Sequence, residues 1–124
     1  MWARLRKFVS RFRRQPPVTS LFADDVEVTI EPAGQAERIL IRWDDVDEIQ
    51  TFKADLGIVD DIRLAVRVGN GWYQLSEEDQ GFMDVTEAMQ RKFSSIPEGW
   101  YFEVMHPAFV ANQRVLWCRN EEGA

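Results

Sequence analysis

Apolar and polar residues alternate most clearly in the middle of the chain. Ile62, Leu64, Val66 and Val68 are interleaved with Arg63, Ala65 and Arg67, the period of two expected of a half-buried strand. Gly69-Asn70-Gly71 follows and supplies the backbone freedom of a tight turn, after which Trp72 to Leu75 pairs back. Upstream, Val26, Val28 and Ile30 alternate with Glu27, Thr29 and Glu31. Pro32-Ala33-Gly34 turns the chain, and Arg38 to Trp43 returns as the second half of a hairpin with a longer loop. Asp45 to Lys53 carries Val46, Ile49 and Phe52, a turn leading into a strand. Ala54 to Asp61, with Gly57 and Asp60-Asp61, reads as a loop.

Ser76 has the character of a helix cap, with Asp79 three residues on as a capping-box acid and a helix expected from Glu77. Phe82, Val85, Met89 and Phe93 follow at helical spacing, Arg91 and Lys92 suit the last turn, and the helix should stop near Ser95 before Pro97. Trp100 to Met105 and Gln113 to Arg119 read as two further strands. The pattern predicts an α+β fold: an antiparallel sheet of about six strands with one main helix packed on it.

A different period opens the chain. On a helical wheel Trp2, Leu5, Phe8, Val9 and Phe12 fall within an arc of roughly 120°. Arg4, Arg6, Lys7, Arg11, Arg13 and Arg14 lie opposite. This is a basic amphipathic helix of the kind that lies on an anionic membrane surface, adds itself to a partner's groove or docks on its own body. An Arg-rich, acid-free start also resembles a mitochondrial transit peptide. It has neither the long apolar run of a membrane span nor the uninterrupted apolar region of a secretory signal. Pro16-Pro17 ends it. The expected organisation is a basic arm over 1–15, a linker over 16–23, one α+β domain over 24–120 and a tail over 121–124.

Composition sharpens this picture through charge. The 124 residues are 45% hydrophobic and 29% charged, a globular balance that excludes disordered, collagen-like and disulfide-stapled classes. The formal net charge is −6, yet the first acid is Asp24. Without the arm, nine basic residues face all 21 acidic ones, so a +6 arm is joined to a −12 body. An acidic body repels phosphate backbones, and nucleic acid is not an expected partner. Basic or neutral proteins are.

The candidate chemistry is sparse. Asp44, Asp45, Asp47 and Glu48, with Asp60 and Asp61 (and Asp55) further on, form an acidic surface suited to a basic partner. Carboxylates could hold a divalent ion, but the spacing matches no EF-hand loop. His106 has no second histidine to work with, Cys118 reads as an inert thiol, and no phosphate-cradling glycine loop or C-x-x-C motif is present. No cofactor is expected. Of the tryptophans, Trp43 and Trp117 suit the core, whereas Trp72 and Trp100 are candidates for exposure at a contact patch.

The run Arg42-Trp43-Asp44-Asp45-Val46-Asp47-Glu48-Ile49 resembles a group of small, uncharacterised single-domain bacterial proteins. Asp55-Leu56-Gly57, Asp60-Asp61-Ile62, Ser76, Glu77, Gly81, Phe109, Asn112 and Trp117 extend the resemblance over about residues 26–119. The group has no established activity or catalytic residue to carry over; some members look like immunity-type or accessory binding proteins. The arm lies outside the resemblance. The sequence therefore points to a non-enzymatic protein-binding module in a bacterial cytoplasm, peripheral on the inner membrane face through its arm. The alternatives are a carboxylate-centred, metal-dependent enzyme and a structural domain that forms homo-oligomers through the arm.

Overall fold

A computed structural model describes residues 19–34, 37–55, 60–106 and 112–119. The arm over 1–15 and the tail over 121–124 lie outside the described residues, as does Phe109.

The fold is α+β, with seven strands among the described residues divided between two antiparallel sheets rather than joined in one sheet of six. The first sheet is a meander of β1 (Ser20–Ala23), β2 (Glu27–Glu31) and β3 (Ile39–Arg42), in that order. The second has the order β6-β5-β4-β7, from β4 (Glu48–Asp55), β5 (Asp60–Val68), β6 (Gly71–Ser76) and β7 (Arg114–Cys118). A 3₁₀ turn, Trp43–Asp45, separates the sheets. Its Trp43 amide donates to the Val26 carbonyl at 2.9 Å, and its indole Nε1 donates to the Asp24 carbonyl at 2.8 Å. The chain thus leaves β3 tied back onto the first sheet before β4 begins.

The alternation expected over Glu27–Glu31 and Ile62–Val68 is present. Val28, Ile30, Ile62, Leu64 and Val66 are all buried. Val26 is exposed because it sits in the β1–β2 turn. There Asp24 Oδ1 accepts the amides of Val26 and Glu27 at 2.9 Å each, an Asx-type closure. Gly69-Asn70 makes the two-residue β5–β6 turn, with Gly69 at φ +61, the residue a type II′ hairpin asks for at that position. The predicted loop over Ala54 to Asp61 is shorter than expected, because Ala54, Asp55, Asp60 and Asp61 continue the β4–β5 ladder.

Three expectations about element limits change. Ser20–Ala23, placed in the linker, is a strand: Leu21 is buried, and the segment pairs with β2 from Ser20↔Glu31 to Ala23↔Val28. Four residues holding one inward leucine give too short an alternation to read. The helix α1 spans Phe82–Lys92 rather than starting at Glu77. Ser76 and Asp79 do form a reciprocal capping pair: Ser76 Oγ accepts the Glu78 amide and Asp79 Oδ2 accepts the Ser76 amide. They close a turn instead, because Gln80 is engaged with β1 (Leu21 N to Gln80 O, 2.7 Å; Gln80 N to Thr19 O, 3.0 Å). Gly81 then turns the chain at φ +88, where an added Cβ would lie 2.1 Å from the Leu21 carbonyl oxygen. Finally, Trp100–Met105 is a helix, α2, and not a strand. Trp100 and Val104 are buried four residues apart, while Phe102 between them is exposed, a helical stripe that mimics alternation over so few residues.

The inner faces of both sheets and the buried stripes of α1 and α2 meet in one core. In the second sheet the inward rows run Ile49↔Val66, Thr51↔Leu64 and Lys53↔Ile62. Lys53 is buried at the end of that row, and its ammonium donates to the Met105 carbonyl of α2 at 3.0 Å.

Candidate functional site

The acidic run and the end of the helix are brought together by topology. The 3₁₀ turn presents Trp43 and Asp44, the end of α1 presents Lys92, Phe93, Ser94 and Ser95, and the end of β7 presents Trp117 and Arg119. Together they line an open groove of about 300 Å³. Its floor is aromatic: Phe93 meets Trp43 edge-on (5.8 Å, 79°) and lies 4.4 Å from Trp117 between ring centres. Phe93 was legible as the last residue of the helical stripe. The part played by Lys92, the two serines and Arg119 was not, since only tertiary contact relates them to Trp43.

The charges of the groove are paired. Lys92 Nζ lies 2.6 Å from Asp44 Oδ1, and that ammonium holds the Asp44 carboxyl below its ordinary range. Arg119 donates to Asp47 Oδ1 and to the Asp44 and Val46 carbonyls, with its guanidinium 5.6 Å from the centre of the Trp117 ring. The Gly69 amide at 2.8 Å, and then Arg119, hold Asp47 low as well. The groove offers the half-buried Trp117 ring and the exposed Ser94 and Ser95, with its charges already paired.

The remaining predicted acids separate. Asp45 is exposed. Glu48 is half-buried against Arg67 on the outer face of the second sheet. Asp61, expected on the surface, is 2% exposed. Arg63 Nε donates to its Oδ2 at 2.9 Å, and Ser76 Oγ lies 2.8 Å from its Oδ1, so burial is compensated by charge pairing and hydrogen bonds. The side chain of Asp60 lies outside the described residues. Among the described residues no three His, Cys, Asp or Glu side chains converge as metal ligands would.

Next to Asp61 runs a polar network. Glu77 accepts the Ile62 amide at 2.9 Å and the Tyr101 hydroxyl at 2.5 Å. The Glu77 carboxylate pushes the Tyr101 phenol up to about 12. Asp79 is raised, chiefly by burial. This network locks α2 to β5.

His106 is exposed and contacts its own helix, with Nδ1 3.1 Å from the Phe102 carbonyl. Cys118 is half-buried in β7. Of the tryptophans expected at the surface, Trp72 is 38% exposed, near the Arg67 guanidinium at 5.9 Å. Trp100 is 4% exposed, because α2 turns it into the core. Trp43 is buried and Trp117 half-buried. No helix among the described residues is long and apolar enough to cross a membrane. Comparison of the chain with family models, with curated proteins and with solved structures gives no match.

Proposed function

We propose that this chain is a non-enzymatic protein-binding module whose acidic body engages a basic protein surface. Its basic arm (Trp2 to Arg14) docks on an anionic membrane surface or on a partner. One observation carries the reading: among the described residues every cation but the exposed Arg42 is committed within the molecule, while several carboxylates remain over. Arg38, Arg63, Arg67, Arg91, Lys92, Arg114 and Arg119 each pair with an acid of the same body, and Lys53 is buried. Asp45, Glu78, Asp84, Glu87 and Glu98 face solvent. Such a surplus accelerates encounter with a basic partner by steering, and the effect fades as salt screens it.

The groove adds a contact surface to this field, since the half-buried Trp117 lines it and the exposed Asp45 follows its rim residue Asp44. Masking a basic toxin domain is one form of the role, the immunity-type behaviour suggested by the resemblance to small bacterial proteins. The carboxylate-centred alternative has weaker support: Asp61 serves Arg63 and Ser76, while Asp44 serves Lys92.

Affinity capture from the host at low and high salt, with the full chain and with D45K/D84K/E87K, tests the reading. A basic partner held at low salt, released at high salt and lost with the reversed charges is expected. Capture indifferent to both would overturn it. Heat on calorimetric titration with Mg²⁺, Mn²⁺ or Ca²⁺ would favour the enzyme instead.

A further inference from the structure

The outward face of the first sheet leaves a row of apolar surface uncovered, as single side chains such as Met83, Phe102 and Val115 are elsewhere. Phe22 and Leu40 are each 54% exposed, and both are register partners of Thr29 (Phe22↔Thr29, Thr29↔Leu40). The three therefore form one row across all three strands. Glu31 flanks the row on one side and Glu27 on the other. The row is roughly 10 Å wide at the usual strand spacing, about the width of one helix.

We infer that residues 2–14 of this same chain cover that row as an amphipathic helix, with Trp2, Leu5, Phe8, Val9 and Phe12 toward Phe22, Thr29 and Leu40. Three features select this occupant. The arm runs directly into the sheet: Ser20 opens β1, two residues before Phe22. The five intervening residues, Gln15 to Thr19, can span up to about 17 Å, enough to fold the arm back. Helix and sheet also match in size, since thirteen helical residues extend about 20 Å and strands of four or five residues roughly 15 Å.

Charge agrees as well. The arm carries six cations and no acid, whereas residues 20–42 carry Asp24, Asp25, Glu27, Glu31 and Glu37 against Arg38 and Arg42. The cations flanking the apolar stripe fall toward Glu27 and Glu31. Arg42 lies opposite Glu27 in the register, and Arg38 pairs with Glu31 at 3.3 Å with both side chains well exposed. An exposed pair of that kind is readily exchanged for another. The −12 body attracts the arm generally, and the apolar row decides where it settles. A docked arm withholds its apolar face from lipid and from other chains until a competitor displaces it. The docking needs no partner protein, so it stands or falls separately from the reading above.

The test uses the full chain with Cys118→Ser and a nitroxide on Arg42→Cys, and follows paramagnetic broadening of the residue 2–14 amide signals. Strong broadening is expected, independent of protein concentration and reduced but not abolished by high salt. It should disappear in F8D/F12D, and also in F22S/L40S, where the sheet side of the contact is removed. A mixture of isotope-labelled chains without the nitroxide and unlabelled chains bearing it should show no broadening. Equal broadening in that mixture would make a second copy the occupant and overturn the inference. Unbroadened arm signals in the dilute single-species sample would overturn it too.

Discussion

The two sheets meet the core in the same way and meet solvent in opposite ways. Each turns alternate aliphatic side chains inward, such as Val28, Ile30 and Ile41 in the first and Ile49, Leu64 and Val66 in the second. On the outer face of the second sheet, Arg67 links Glu48 to the ring of Trp72, over which its guanidinium lies, while Arg63 ties Asp61 to Gln74. On the outer face of the first, Phe22 and Leu40 stand in a row with only Thr29 between them. Inward alternation satisfies the core in both cases and places no demand on the opposite face. The centre of the second sheet's outer face is closed by paired polar side chains, with Val115 and Trp72 exposed singly at its edges, whereas the apolar residues of the first stand together in a row that can take a cover.

The contrast can be broken at its joint. Trp43→Ala removes the indole that ties the 3₁₀ turn to Asp24 and supports Phe93. It should cost about 4 kcal/mol in denaturant unfolding, with both sheets melting together because they share one core. Gly81→Ala should cost roughly 3 kcal/mol, since a Cβ meets the Leu21 carbonyl and the backbone stays at positive φ. Differential scanning calorimetry would reveal it as a lowered Tm.

Asp61→Ala tests the finished face. It leaves Arg63 and Ser76 without their acceptor, for an expected loss of about 3 kcal/mol by chemical denaturation. In the chain without residues 1–15, where Leu40 is left exposed, Leu40→Ser on the other outer face should change the same measurement by less than about 0.5 kcal/mol. Equal costs for the two would erase the distinction drawn between the faces.

The smallest effects concern pH. Asp24, Asp44 and Asp47 have folded values held below 3.8, by backbone amides, Lys92 and the Gly69 amide respectively. Their contribution is present above about pH 4 and is lost as pH falls through the lower folded values. Asp79 acts in the opposite sense: its folded value is raised, so its contribution is present at low pH and lost as pH rises through that value. Unfolding curves across this range should show Asp47→Asn removing part of the acid-side decline, while Asp79→Asn makes the rise toward neutral pH slightly steeper.

Much of this architecture was legible in periodicity. β5, the β5–β6 turn, the β2–β3 hairpin and the buried stripe of α1 follow from spacing, because a long alternation or a four-residue repeat has one cheap way to bury itself. β1 and α2 were missed because both are short: β1 turns a single leucine inward, and over the six residues of α2 a period of two and a period of 3.6 place almost the same side chains inward. The groove was less legible still, for Trp43, Phe93 and Trp117 are neighbours only after three elements have packed.

Charge segregation was fixed by the order of residues alone, since a chain with six cations before its first acid keeps that asymmetry in any conformation. The fate of each carboxylate was decided by tertiary structure. Asp44 and Asp61 look alike in the sequence, yet one rests on Lys92 at the surface and the other is enclosed with Arg63 and Ser76. Desolvation and hydrogen bonding depend on what lies within a few ångströms, and that neighbourhood is set by the pairing of strands distant along the chain.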